Sequence, residues 1–340
     1  MLTRVHVEGY KCLRDVTVEL GPFNVLIGKN DSGKSSFMQA VSEPARTFKR
    51  WNPTNLPKDV SSGQWRVQLT GRGGLLGYDS SAWTTPAWGN GSALLAFRHP
   101  SDAAAWVVSN PEFTATEPIS LDPSFIAGQS PAQSAALDAF IASRGGGTAA
   151  HLAALALGDR KRFDAIEEAM ALVTEGRVQT LVVQDIGNST YTLAFKLVDG
   201  TTVAASQMSQ GLLVYLGFLA LVHRDPMPGI LLVEEPERGL HPMRLFDLVT
   251  ALRTLPKRGV QVILATHSPD LLSWCDPSEV RIFHRPRPES PTEVHMLPAD
   301  FDRRAMHEPL GQVWAARGEE GLLDLVRGPV RPVVQAKAAG

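Results

Sequence analysis

The chain has 340 residues, 44% of them apolar and 20% charged, enough for one large globular domain or for one domain with a substantial insertion. A formal net charge of −2 excludes a chain that is basic overall, so contact with nucleic acid would need a local patch. The only cysteines, Cys12 and Cys275, are far apart and lack CxxC spacing, which indicates neither a disulfide framework nor a zinc site and suits a reducing cytoplasm.

The first residues, Met1 to His6, alternate like a strand and form no apolar signal core, so no secretion is expected. Val5 and Val7, then Val16, Val18 and Leu20, alternate with polar residues, which predicts paired strands leading into a buried strand from Phe23 to Ile27. The segment Gly28-Lys29-Asn30-Asp31-Ser32-Gly33-Lys34-Ser35 follows at once. The run Ser36 to Val41 after it is helix-compatible, with an end expected near Pro44.

Residues 45 to 130 are rich in Gly, Pro, Ser and Trp and include Trp51, Trp65, Trp83, Trp88 and Trp106. Only a few short strands are predicted there. Helical patterning returns with Ser130-Pro131 as a start signal, breaks at Gly145-Gly146-Gly147, and resumes with Phe163, Ile166, Met170 and Val173 before Gly176. Two strand-like runs follow, Val178 to Val183 and Tyr191 to Val198, the second leading into the hairpin turn Asp199-Gly200.

From Ser206 the pattern alternates between helix and strand. A helix is expected over Gly211 to Val222, a strand over Ile230 to Val233, a helix after Pro242, a strand over Val260 to Ala265 and a helix after Ser268-Pro269. This order predicts a mostly parallel sheet with helices on its faces. The run Gly211 to Val222 is also the longest apolar stretch. It falls short of the about 20 residues that a membrane span needs, so no span is expected. Arg327 to Gly340 reads as a loose tail.

Strand, glycine-rich loop and helix together form a phosphate cradle. Glycines at 28 and 33 permit close backbone approach, Lys29 to Gly33 wrap the phosphate chain, and the following helix N-terminus offers unpaired N–H groups. Lys34 is placed to reach β- and γ-phosphates, and the Ser35 hydroxyl to ligate magnesium. A second acidic element fits the first. Ile230 to Glu235 is an apolar strand ending in two carboxylates, expected at the carboxyl edge of the sheet beside the loop. Successive strand side chains point opposite ways, so Glu234 and Glu235 must differ in role, one facing the metal and the other an attacking water.

These residues resemble the ATPases of the ABC superclass, and within it the RecF-like and OLD-like prokaryotic branch. The resemblance rests on Val5 to Lys11 as a first strand and turn, on the phosphate loop from Gly28 to Ser36, on Glu234 to Pro242, and on Thr266-His267-Ser268-Pro269. It implies a P-loop NTPase of the ABC-ATPase type, with an α/β fold, a mostly parallel central sheet, an antiparallel β subdomain and a helical or irregular insertion. ATP and Mg2+ are the implied ligands, bound by Gly28, Lys29, Asn30, Asp31, Ser32, Gly33, Lys34, Ser35 and Ser36. Glu234 would be the acid associated with magnesium, Glu235 the residue that polarises water, and His267 a sensor of the γ-phosphate.

Ser206 to Gly211 stands where the family has its signature segment; Ser209 and Gly211 match its Ser-x-Gly, while Met208 and Gln210 depart from the commonest form. In that reading Ser209 and the amides of the helix start bind a γ-phosphate held by another subunit, so ATP joins a head-to-tail homodimer. An ordinary helix N-cap at Ser209 is the plainer alternative. Gln64 and Gln68 are both candidates for a glutamine that links nucleotide state to the insertion. His241 reads either as an interface residue or as a helix-capping turn before Pro242.

The implied organisation is residues 1–45 as the first part of the ATPase domain, 46–176 as the insertion, 177–326 as its second part and 327–340 as a flexible tail. About 175 residues separate Ser35 from Ser209, too few for long coiled-coil arms. The 73 residues after His267 hold no cluster of metal-binding acids, so no nuclease activity is expected in this chain. The expectation is a cytoplasmic ATPase whose dimer switches a separately encoded protein effector, such as a nuclease, in DNA repair or antiviral defence. An ATPase subunit of an ABC transporter and a slow-turnover ATP-binding scaffold are the alternatives. Arg281, His284, Arg285 and Arg287, with Arg303 and Arg304, form the local basic cluster that is the best candidate for nucleic acid, with solvated loop charge as the plainer alternative.

Overall fold

The computed structural model describes residues 1–50, 66–71, 74–79, 87–89, 94–96, 114–131, 141–298 and 308–327. Strands β1 (Leu2–Tyr10) and β2 (Leu13–Glu19) pair antiparallel, with Val5 opposite Val18 and Val7 opposite Val16. Their valines share one face, as the alternation in the sequence requires. Strand β3 (Phe23–Ile27) follows, buried throughout, and the helix after the phosphate loop is α1 (Lys34–Arg50). This helix continues past Pro44, where an end was expected. Proline's fixed φ is compatible with a helix, so the element can run on through it at the loss of one backbone hydrogen bond.

Strands β4 (Arg66–Gly71), β5 (Gly74–Asp79), β6 (Ala87–Gly89) and β7 (Leu94–Ala96) extend the first hairpin into a six-stranded antiparallel sheet in the order β2-β1-β4-β5-β6-β7. Most of the Trp-rich segment lies outside the described residues; Trp88 is in β6. The short helix α2 (Pro123–Ile126) precedes β8 (Ser130–Pro131), where a helix start was expected. Instead Ser130 and Pro131 pair with Tyr191 and Thr190. Proline is tolerated at a sheet edge because it has no N–H to leave unpaired there.

Helices α3 (Thr148–Gly158) and α4 (Arg160–Val173) follow the glycine turn at 145–147, and Phe163, Ile166 and Met170 of α4 are buried. Strands β9 (Val178–Asp185), β10 (Thr190–Leu197) and β11 (Thr202–Ala204) join β8 in a second antiparallel sheet. Helix α5 (Gln210–Val222) is buried from Leu213 to Val222, which is the fate of a helix apolar on all sides.

The rest of the chain builds the central sheet. It comprises β12 (Ile230–Glu234), helix α6 (Pro242–Leu252), β13 (Gln261–Thr266), helix α7 (Pro269–Ser273), β14 (Val280–His284), β15 (Glu293–Met296) and the last helix α8 (Leu310–Arg327). The order is β12-β13-β3-β14-β15, with the first four strands parallel and β15 antiparallel. A segment at 115–119 runs along β12 and covers the sheet edge, donating Thr116 N–H to Ile230 O at 3.0 Å and Ile119 N–H to Leu232 O at 2.9 Å.

Alternation along the strands divides the core in two. Val25, Ile27, Leu231, Val233, Val262 and Leu264 face α5 and α6, whereas Leu26, Leu232, Ile263 and Phe283 face α1 and the β1–β2–β4 sheet. Both faces are therefore covered, which a parallel sheet requires. Among the described residues no helix is long and apolar enough to cross a membrane.

One buried titratable group sits apart from the sheet edge. His151 on α3 is 3% exposed; burial and then the charge of Arg224 pull its imidazole from 6.5 down to about 4. The unfolded chain takes up this proton first, so the associated stability is complete above pH 6.5 and is lost as pH falls toward 4. We expect urea midpoints to drop between these limits by the equivalent of up to about 3 kcal/mol. His151→Leu should flatten that slope; an unchanged slope in the variant would show that His151 is not its source.

Candidate functional site

The phosphate loop leaves the carboxyl edge of the sheet between two neighbours. Ile27, the last residue of β3, lies opposite Thr266 of β13 and Ile282 of β14. Gly28 adopts φ 156°, and a Cβ there would come within 2.1 Å of the Phe283 carbonyl oxygen, so only glycine fits. The loop turns through Asp31 at φ 61° and Gly33 at φ 106° before the Phe37 N–H bonds to the Gly33 carbonyl at 2.8 Å and α1 begins.

Lys34 folds back into this loop, 6% exposed. Its Nζ donates to the carbonyl oxygens of Gly28 at 2.8 Å and Lys29 at 2.9 Å, and to Ser32 Oγ at 3.4 Å. Burial pulls its ammonium from 10.5 down to about 8, against the opposing charges of Glu319, Glu235, Glu234 and Glu237. The lysine remains predominantly charged at neutral pH, with partners it can exchange for phosphate oxygens.

The acidic strand end approaches from β12, where Glu234 lies opposite Ala265. Glu234 donates its N–H to Ile119 O at 2.7 Å, and its buried Oε1 has no hydrogen-bond partner. Glu235 takes φ 46°, unusual for a residue with a side chain, and donates its N–H to Ala265 O at 2.8 Å. Its carboxylate bonds to Arg238. Glu237 accepts the His267 N–H at 2.9 Å. Burial, and then the Lys34 charge, hold the His267 imidazole below its ordinary value, so at neutral pH it is mostly uncharged and can both donate and accept a hydrogen bond.

A cleft of about 950 Å³ joins these parts. Asn30 to Ser36 form its floor, Glu235 and His267 one wall, and Lys11, Cys12, Arg285 and Arg287 the other. Ser35 presents a hydroxyl here, and the nearby Glu234 has an unpartnered carboxylate oxygen. A hydroxyl and a carboxylate are donors suited to a small hard cation, so this pair fits magnesium. Among the described residues no group of three or more His, Cys, Asp or Glu could hold a metal ion, so the remaining ligands would be water and phosphate.

Ser209 and Gly211 line a different cleft of about 600 Å³, together with Arg177, His241 and Arg244. Ser209 stands at the N-cap of α5, yet its side chain makes no capping hydrogen bond. Gly211 is pressed against the Gly239 carbonyl oxygen, which a Cβ would approach to 2.7 Å. His241 caps α6, its Nδ1 accepting the Met243 N–H at 3.3 Å. Gln68 lies in β4, away from the residues that line the phosphate cleft, and Gln64 lies outside the described residues.

Two residues of the basic cluster, Arg281 and His284, are not on the surface. Arg281 is 3% exposed and donates to the carbonyl oxygens of Glu19 and Ser278 at 2.6 and 2.7 Å. His284 is buried as well. Only Arg285 and Arg287 remain accessible, and they face the phosphate cleft; Arg303 and Arg304 lie outside the described residues.

A further group carried no sequence signal beyond its flanking glycines. Helix α8 breaks at Gly318 (φ 62°, ψ −147°), and the next residue, Glu319, is 1% exposed against the phosphate loop. One carboxylate oxygen accepts the Lys29 N–H at 3.4 Å; the other lies 3.0 Å from His284 Nδ1 and 3.7 Å from Lys29 Nζ. Glu319 thereby ties the C-terminal helix to the loop and supplies counter-charge to Lys34.

The fold is that of a P-loop ATPase head. The chain is similar to the SMC head domain from Thermotoga maritima (TM-score 0.50, 11% identity, covering 87% of this chain and 99% of that one). It is also similar to an SmcHead bound to the C-winged helix domain of ScpA (0.58, 12%, 88% and 98%). The third is the Smc head domain with an extended coiled coil, bound to the C-terminal domain of ScpA derived from Pyrococcus furiosus (0.54, 11%, 86% and 95%).

In sequence, residues 106–273 match the family model "AAA domain, putative AbiEii toxin, Type IV TA system", and residues 1–43 match the "AAA ATPase domain" model. The chain thus has segments similar to AAA-type ATPase domains, in a fold similar to that of SMC heads. No curated protein matches it.

Glu319→Ala should leave the Lys29 N–H without its acceptor, remove the carboxylate beside His284 and lower stability by about 1–3 kcal/mol. Glu319→Gln keeps an acceptor and should lose less. Equal midpoints for wild type and the alanine variant in chemical denaturation would show that the carboxylate does not tie the loop to the helix.

Proposed function

We propose that the chain binds ATP with magnesium in the 950 Å³ cleft and hydrolyses it. The observation that carries this reading is the convergence of Lys34, Glu235 and His267 on one cleft at the carboxyl edge of a parallel sheet. Lys34 exchanges its carbonyl partners for β- and γ-phosphate oxygens, and the N–H groups at the start of α1 point at the same charge. Glu235 leaves Arg238, holds the attacking water and accepts its proton as the bond to the γ-phosphorus forms and the bond to the leaving ADP oxygen breaks. Neutral His267 donates to a γ-phosphate oxygen. Ser35 and Glu234 would hold magnesium, which supplies charge neutralisation to the phosphates.

The cleft lacks Ser209 and Gly211, and the Ser209 hydroxyl is not used to cap its own helix. We therefore assign these residues to the γ-phosphate of a second copy, so that two nucleotides are enclosed in a head-to-tail homodimer. Placement in the RecF-like and OLD-like branch rests on the sequence resemblance. So do the division into an ATPase domain with an insertion at 46–176 and the switching of a protein effector in repair or antiviral defence, while the cytoplasmic location rests on cysteine usage. The solved heads bound to parts of ScpA and the toxin wording of the matched family support a partner-directed role.

Two variants test the reading. Lys34→Ala should weaken ATP binding by at least about a hundredfold in calorimetry, since it removes a buried charge contact; retained affinity would refute the site. Glu235→Gln should bind ATP, stop turnover and accumulate a dimer in size-exclusion chromatography with light scattering. A monomer at saturating ATP would remove the two-copy arrangement and leave the nucleotide site standing.

A further inference from the structure

The turn between β14 and β15 is held on every side. Arg285 donates to Ser290 O at 2.9 Å within the turn and to Asp31 O of the phosphate loop at 3.3 Å. Thr292 Oγ1 donates to Ser32 O at 2.9 Å, and its N–H to Cys12 O at 3.4 Å. Arg14 donates to Glu289 O at 2.8 Å, and the Ser290 N–H closes the turn on Arg287 O at 3.0 Å. Pro286, Pro288 and Pro291 stiffen it further, because each fixes its own φ and restricts the residue before it.

At the middle of this arch, between two prolines, stands Arg287. It lines the phosphate cleft, is exposed, and has no ion-pair or side-chain hydrogen-bond partner among the described residues. The other exposed cation of that wall, Lys11, is engaged by Gln39 and lies over the Tyr10 ring. The backbone that carries this cation is already held, so meeting an anion costs chiefly the rotamer freedom of the arginine side chain itself.

We propose that the β14–β15 turn is a nucleotide clamp in which Arg287 binds the phosphate chain of the triphosphate held by the same subunit, while Arg285 positions the turn on the phosphate loop. A guanidinium offers planar forked donors that match phosphate oxygens. The anchoring of the turn to the carbonyl oxygens of Asp31 and Ser32 places Arg287 beside phosphates and not across an outer surface. Among the described residues, the inward burial of Arg281 and His284 leaves no continuous basic patch there for a nucleic-acid backbone.

The clamp rests on the nucleotide reading above and is tested separately from it. Wild type, Arg287→Ala, Arg287→Lys and Lys34→Ala are titrated by calorimetry with ATP and with inorganic tripolyphosphate. Arg287→Ala should bind both about tenfold more weakly, Arg287→Lys should recover part of the loss, and the melting temperature without ligand should match wild type. If Lys34→Ala loses ATP while Arg287→Ala binds it normally, the clamp is wrong and the site stands. A loss confined to ATP, with tripolyphosphate unaffected, would place Arg287 on the base and overturn the phosphate contact. Loss of duplex DNA binding with ATP affinity intact would overturn it in favour of a nucleic-acid role. No ATP binding by wild type would refute the underlying reading itself.

Discussion

A buried ammonium needs compensation, and the arrangement around Lys34 supplies it from four directions. The loop's own carbonyls accept its hydrogens, Glu234 and Glu235 approach from β12, Glu237 from the loop beyond, and Glu319 from the last helix. Burial nevertheless holds the lysine well below its ordinary value, so the carboxylates offset the desolvation only in part. A site in this condition favours a strongly anionic ligand, because phosphate oxygens replace weak carbonyl partners with full charge. With such a ligand bound as proposed, the acids around the lysine would lie beside it. That is where a hydrated cation, and a carboxylate able to take a proton, become useful.

The central sheet makes this convergence geometrically available. Parallel strands end together, so β3, β12 and β13 deliver Gly28, Glu234 and His267 to one edge without any long excursion of the chain. Alternation fixes which side each reaches. Adjacent acids on β12 separate into one with an unpartnered buried oxygen and one that faces the open cleft. The positive φ of Glu235 belongs to the same turn, since the strand must stop there while its N–H still meets the Ala265 carbonyl.

Much of the central fold was legible because its signals are local. An apolar run followed by Gly28 to Ser35, another ending at Glu234-Glu235 and a third ending at Thr266-His267 each announce a strand and what it carries. The misreadings arose where one residue type serves two purposes. Pro44 sits inside a helix that its neighbours Phe37, Met38, Ala40 and Val41 anchor by burial; Ser130-Pro131 closes a sheet edge. The basic run near Arg281 begins in a strand buried throughout and ends in the turn that borders the cleft, and composition cannot tell where the one passes into the other. Glu319 and Cys12 reach the loop from opposite ends of the chain, a juxtaposition that only the folded sheet reveals.

The two clefts are not independent, because one short stretch of chain borders both. Glu235 lines the phosphate cleft and Glu237 accepts the N–H of His267, which lines it too, and two residues on from Glu237, the Gly239 carbonyl is packed against Gly211 at the start of α5. That contact has no slack for a side chain, so a shift of the acidic turn must be accommodated by the helix that carries Ser209. Helix α5 is buried along nearly its whole length and moves as a body if it moves at all. The turn that carries Glu235 and the helix that carries Ser209 are therefore joined by direct packing, which links the walls of the two clefts.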